Sequence, residues 1–246
     1  MTNKIRVHSY ESMGTFDGPG LRLVVFLQGC PFRCLYCANP DTIDPVGESE
    51  ETDPAKILEM AVDQKPFYGK RGGITFSGGE PTFQAEKLIP LFEQLKSNGV
   101  HICLDTNGTI VSDHVDRLHE LTDLVLLDVK QINDERHRSL TGLSNRNTLR
   151  TAERLNQKGI PVWLRYVLVP GVSDDPADLD AWATQFAGYD NIERVEILPY
   201  HTLGVHKYEA MGLKYALADT PRNTPEQLES VRALFASRFS CPVLVN

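Results

Sequence analysis

The chain has 246 residues, 33 acidic against 25 basic and 41% apolar, with a net charge of −8. That length can bury a sizeable core, the composition is that of a globular enzyme, and the acidic balance does not suit a binder of nucleic-acid phosphates. The opening MTNKIRVHSYESMG lacks the apolar region of a secretory signal, and no apolar run approaches the roughly 18 residues that span a bilayer. The expectation is a cytoplasmic protein with neither a nucleic acid nor a membrane as partner.

In chain order, short aliphatic or β-branched runs alternate with helix-like segments. The first strand, LRLVVFLQGC (21–30), leads into a cysteine-rich loop. TDPAKILEMAVDQ follows as a helix, with Asp53 as N-cap and Pro54 at its first position. GITFSGGE (73–80) is a strand, and QAEKLIPLFEQLKSNG is a helix that stops at Gly99. HICLDTNG (101–108) and DLVLLDVKQ (123–131) are two further strands. NTLRTAERLNQKG reads as a helix ended by Gly159, with Lys158 placed to complement the helix dipole. The strands VWLRYVLVPG (162–171) and RVEILPYH (194–201) come next. TPEQLESVRALFASRF opens on Thr224, Pro225 and Gln227, a capping-box pattern.

Continuous apolar runs suit strands covered on both faces, as in a parallel sheet. Six such strands alternating with helices predict an α/β fold: a partial, laterally open (β/α)6 TIM-like barrel. A Rossmann-type sheet competes, but no G-x-G-x-x-G follows the first strand. Polar residues gather where the strands end, at Cys30, Ser77 to Glu80, Asp105 to Asn107, Asp128, Lys130 and His201. In a β/α barrel that rim is where active sites are assembled.

Five cysteines, an odd number with no secretory signal, argue against a disulfide framework. Cys103 and Cys241 stand alone, and Cys103 reads as a small buried residue. Cys30, Cys34 and Cys37 form C-x3-C-x2-C. Thiolates select zinc or iron–sulfur clusters. A structural zinc is closed by four ligands, and neither His8, His101 nor Cys103 has the usual spacing to complete such a set. A 4Fe-4S cluster ordinarily takes four cysteines, so three leave one iron open, as a catalytic metal requires. The spacing favours the open cluster over zinc. A zinc-bearing interaction module is the rival from outside the enzyme class.

GCPFRCLYCAN (29–39), with Tyr36 just before the last cysteine, resembles the cluster motif of the radical S-adenosylmethionine superfamily. DGPGLRLVVFLQGCPFRCLYCAN (17–39) is similar to the signature of glycyl-radical-enzyme activases. SGGEPTFQAE, LDTNG, DLVLLDVKQIND, LRYVLVPGVSDD and LPYHTLGVHKYEAMG extend the likeness from about residue 5 to 215, toward the activases of pyruvate formate-lyase. Residues 40–72 hold no cysteine, where activases of other glycyl radical enzymes often carry further clusters. Ala38 stands where a histidine is often found, and the tail from about 216 is unlike the family.

The resemblance implies one radical SAM domain over 1–246, with a cluster loop at 29–39 and a C-terminal helical extension from about 216 to 246. It implies a 4Fe-4S cluster on Cys30, Cys34 and Cys37, with S-adenosylmethionine on the unique iron. Reductive cleavage would yield a 5′-deoxyadenosyl radical that takes hydrogen from a glycine Cα of pyruvate formate-lyase. A flavodoxin- or ferredoxin-type donor would supply the electron, and no acid–base residue is called for. The alternatives are activation of another glycyl radical enzyme, or radical chemistry on a small molecule, as in carboxy-deazaguanine synthase-like proteins.

Cofactor contacts are carried over in the same way. Tyr36, Cys37, Ala38 and Val129 are implied at the cofactor, Gly79 with Gly78 at the methionine amino group, and Lys130 with Asp128 at its carboxylate. His201 is implied at the adenosine, and Asp105 and Thr106 at a monovalent cation. Arg165, a charge inside an apolar strand, must meet a carboxylate of the cofactor or of the protein. Each has a plainer reading: a tight turn for the glycines, a mutual salt bridge for Asp128 and Lys130, a structural role for His201. The DGPG loop at 17–20 reads equally as a turn or as part of a docking surface.

Overall fold

The structure is a computed structural model, and it describes residues 4–246. Among those residues nine strands form a sheet in the order β3-β1-β2-β4-β5-β6-β7-β8-β9, so its two ends are different strands and it is open. The described chain divides into two compact units. The first holds the residues through Pro31, Asp41–Thr106 and Ile110–Leu126; the second holds Phe32–Pro40, Asn107–Thr109 and Leu127–Asn246.

The first unit runs β1 (Ile5–Gly14), β2 (Arg22–Leu27), β3 (Glu50–Thr52), α1 (Pro54–Asp63), α2 (Lys65–Tyr68), β4 (Gly73–Gly78), α3 (Ala85–Ser97), β5 (Ile102–Thr106) and α4 (Asp113–Leu121). β2, β4 and β5 pair in parallel, while β1 is antiparallel to both β2 and β3. Leu23, Val25, Leu27, Ile74, Phe76, Ile102 and Leu104 form one core with Leu88, Leu91, Phe92 and Leu95 of α3. That burial explains why α3 continues through Pro90, which lacks one backbone donor. Asp53 caps α1 as expected, accepting from the Ala55 N–H.

β6 (Leu124–Asp128) carries the chain into the second unit. There follow α5 (Asp134–Thr141), α6 (Arg146–Gln157), β7 (Val162–Leu168), α7 (Pro176–Phe186), β8 (Ile192–Pro199), α8 (Val205–Ala210), α9 (Pro225–Ala236) and β9 (Val243–Val245). β7, β8 and β9 pair in parallel. The Thr224–Gln227 capping box is formed at the start of α9. Phe235 of α9 stacks on Trp182 of α7 at 4.7 Å, and Tyr166 of β7 meets both rings edge-on.

All six predicted strands are present, in an open α/β sheet as anticipated. Three strands escaped the sequence reading. β1 alternates weakly, whereas β3 and β9 span three residues each, too few to show a period.

Candidate active site

The cysteine loop is held by its backbone. In the first unit the Gly29 N–H donates to the Thr42 carbonyl at 2.8 Å and the Cys30 N–H to Ile43 at 3.0 Å. In the second unit the Arg33 N–H donates to the Thr141 carbonyl at 2.7 Å and Leu35 to Leu140 at 3.0 Å. Those two carbonyls end α5, where a helix has acceptors to spare. The Phe32 ring meets His137 of α5 edge-on at 5.4 Å. Tyr208 Oη donates to the Cys37 carbonyl at 3.1 Å. With the backbone tied down, the thiols are what the loop has to offer.

Burial pushes the Cys34 thiol up to about 12, with Lys130 opposing the shift and Cys37 adding to it. Metal coordination there releases a proton. Among the described residues no three His, Cys, Asp or Glu side chains are arranged to hold a single metal ion. In a 4Fe-4S cluster each thiolate binds its own iron, so the thiols need not converge on one point.

Still in the second unit, Lys130 Nζ lies 3.1 Å from Asp128 Oδ2 and 5.4 Å from the Tyr36 ring centroid. The two charged side chains are 11% and 21% exposed, so this is no freely solvated surface pair. Burial works against the lysine's charge, but Asp128, with Tyr36 and Cys34, holds its pKa well above the ordinary value. Burial also opposes the Asp128 carboxylate, yet Lys130 and Arg165 keep it below its ordinary value. The pair is therefore ionised at neutral pH. Asp128 Oδ1 and Tyr36 Oη are buried and have no hydrogen-bond partner among the described residues. Val129 spends its backbone on the fold: its N–H donates to the Arg165 carbonyl at 3.2 Å and its carbonyl accepts from Trp182 Nε1 at 3.0 Å.

Arg165 meets protein carboxylates, with Nε 3.9 Å from Asp128 and 3.8 Å from Glu196. His201 is exposed, its Nδ1 accepting from the Leu203 N–H at 3.4 Å. The chain just beyond it packs on the cysteine loop. A Cβ at Gly204 would fall 2.5 Å from the Ala38 carbonyl oxygen, and Lys207 Nζ donates to Asn39 at 2.8 Å. Gly204, Lys207, Tyr208 and Glu196 were missed by sequence reasoning. The first three lie in LPYHTLGVHKYEAMG, a stretch that carried the resemblance but in which only His201 was given a role.

In the first unit, Ser77 Oγ donates to Asp105 at 2.6 Å, and Thr106 Oγ1 donates to the buried Glu80 at 2.7 Å. The Gly79 N–H donates to the Leu27 carbonyl at 2.8 Å, and a Cβ there would fall 2.4 Å from the Gly29 carbonyl oxygen. Close backbone approach thus requires a glycine, whatever else binds. Gly78 ends β4 with φ +103°. Arg22, fully buried, donates from Nε to Thr75 Oγ1 at 2.7 Å, from Nη1 to the Pro19 carbonyl at 3.2 Å and from Nη2 to the Ile74 carbonyl. It anchors the DGPG loop to β4. A Cβ at Gly18, whose φ is +122°, would meet Cys103 Sγ at 2.9 Å.

Three soft donors on a tethered loop suit an iron–sulfur cluster. The orphaned oxygens of Asp128 and Tyr36, beside the Lys130 cation, suit a ligand with charged and polar groups of its own. An open α/β sheet with such a loop after its first parallel strand defines a class of cluster-bearing enzymes. Residues 24–183 match the Radical SAM superfamily, and the chain belongs to that family, which uses a 4Fe-4S cluster and S-adenosylmethionine. It is 47% identical over 221 residues to the pyruvate formate-lyase-activating enzyme of Staphylococcus epidermidis, covering 87% of this chain and 88% of that one. Against the enzyme of the same name from Staphylococcus aureus it is 45% identical over 239 residues, 94% of each.

Solved structures share the fold. A domain of a pyruvate-formate lyase-activating enzyme from Bacteroides vulgatus superposes with a TM-score of 0.60 at 22% identity, covering 71% of this chain and 99% of that one. Streptococcus suis SuiB bound to S-adenosylmethionine gives 0.69 at 17% identity, over 92% of this chain and 50% of that one.

Proposed function

We propose that this chain activates pyruvate formate-lyase, with Cys30, Cys34 and Cys37 as the cluster ligands. The observation that carries this reading is the 45% identity to a pyruvate formate-lyase-activating enzyme across 94% of both chains. When bound, the cluster and S-adenosylmethionine supply reductive S–C5′ cleavage and the hydrogen abstraction that leaves a glycyl radical on the partner. The chain's own residues bind and orient. Lys130, kept cationic by Asp128, receives the methionine carboxylate. Gly79, with Gly78, lets the amino group approach the backbone; Tyr36, Cys37, Ala38, Val129 and His201 border the nucleoside, and Arg165 supports Asp128. Asp105 and Thr106 provide oxygens for a monovalent cation. The electron comes from a flavodoxin- or ferredoxin-type protein. The whole chain acts as one radical SAM domain in the cytoplasm; no helix among the described residues is long and apolar enough to cross a membrane.

The test is anaerobic reconstitution with iron and sulfide, then incubation with reductant, S-adenosylmethionine and pyruvate formate-lyase. Electron paramagnetic resonance should detect a glycyl radical on the partner. Cofactor cleavage without that radical would indicate a small-molecule substrate. A preparation holding zinc and no acid-labile sulfide would sink the enzyme reading.

A further inference from the structure

We propose that Glu196 is a positioning residue for the cofactor site, holding the Arg165 guanidinium so that Asp128 remains the partner of Lys130. This rests on the reading above that Lys130 and Asp128 serve the cofactor.

Glu196 is on β8 directly opposite Arg165 on β7. Paired residues of adjacent strands present their side chains on the same face. The Glu196 side chain is 2% exposed, and its Oε2 lies 3.8 Å from Arg165 Nε. Asp128 Oδ1 lies 3.9 Å from the same nitrogen. Neither carboxylate oxygen has a hydrogen-bond partner among the described residues. Both distances exceed a hydrogen bond, so charge balance sets where the Nε edge sits. Two residues back along β8, Arg194 Nη1 reaches Glu196 Oε1 at 3.3 Å while its guanidinium lies over the Trp163 ring at 3.7 Å.

Arg194, Glu196, Arg165, Asp128 and Lys130 thus form a chain of alternating charge. That alternation ends on Lys130, where an anionic group of a ligand would continue it. Neutralising Glu196 removes a buried carboxylate beside Arg165. Arg165 is then drawn toward Asp128, in competition with Lys130. Sequence spacing does not reveal this, because Glu196 reads as one acidic residue in a short aliphatic strand.

The experiment measures the dissociation constant for S-adenosylmethionine by equilibrium dialysis on cluster-loaded protein. It compares the wild type with Glu196→Gln, Arg165→Gln and the double variant. Glu196→Gln should raise the constant about tenfold with the iron content unchanged, and the double variant should bind no more weakly than Arg165→Gln, as residues acting through one another do. A constant within about twofold of the wild type, or additive effects in the double variant, overturns the proposal; a purely structural role would lower stability without moving the affinity of folded protein. Should Glu196→Gln not fold, Glu196→Asp keeps the charge but draws it back by one methylene. A constant raised about threefold then supports the proposal and an unchanged one overturns it. Wild-type protein that binds no S-adenosylmethionine would defeat the functional reading itself. Normal wild-type binding with an unaltered Glu196 variant defeats this inference alone.

Discussion

Cys34 is half-buried, with desolvation pushing its thiol up to about 12, whereas Cys103 is fully buried beside Arg22 and the DGPG loop. The two should answer mutation oppositely. Cys34→Ala removes a proposed cluster ligand, so reconstituted protein should lose its bound iron and acid-labile sulfide. Cys103→Ala should retain both. Loss of the cluster in the Cys103 variant alone would overturn the three-ligand assignment. The cysteine spacing was legible because all three thiols sit in one short loop. The signature arginine, Arg22, was legible only as a likeness. Its work is to satisfy carbonyls from Pro19 and Ile74, and that required the fold. Arg165 raised the right question in sequence, since a charge in an apolar strand needs a partner. Glu196 supplied an answer from the neighbouring strand.

At the scale of elements, helices with strong ends were readable. Asp53, Gly99, Gly159 and the Thr224–Gln227 box mark real boundaries. α5 went unread because its sequence, DERHRSLT, has little apolar periodicity; it buries only His137, Leu140 and Thr141. Yet its last carbonyls hold the cysteine loop. Asp134 at its start accepts from Ser144 Oγ, from the Asn145 N–H and from Arg138. The Ser144 hydrogen bond is the largest cause; with those from Arg138 and Asn145 it outweighs the opposing desolvation and lowers the pKa to about 2. A depressed carboxylate pKa stabilises the fold above the unfolded value, near 4, and that contribution is lost as pH falls toward 2. Asp134→Asn should therefore lower the urea midpoint at pH 7, and the gap from wild type should narrow between about pH 4 and pH 2. A gap that stays constant over that range would contradict the assigned interactions.

For the molecule as a whole, the C-terminal tail, the part unlike the family in sequence, is structurally integral. α9 places Phe235, wholly buried, against Trp182, and β9 extends the sheet beside β8. Phe235→Ala should cost about 3–5 kcal/mol, measured by urea unfolding, because it opens a cavity among packed rings. An effect below about 1 kcal/mol would show that the tail packs loosely. The sequence by itself determined the six strands, the capped helices and the three-thiol loop, because hydrophobic period, end signals and cysteine spacing are local properties of a chain. Only tertiary structure decided that β9 joins the sheet, that α5 anchors the loop, and that Glu196 stands opposite Arg165. Strand register and helix packing bring together residues far apart in the chain, and no local pattern encodes which of them will meet.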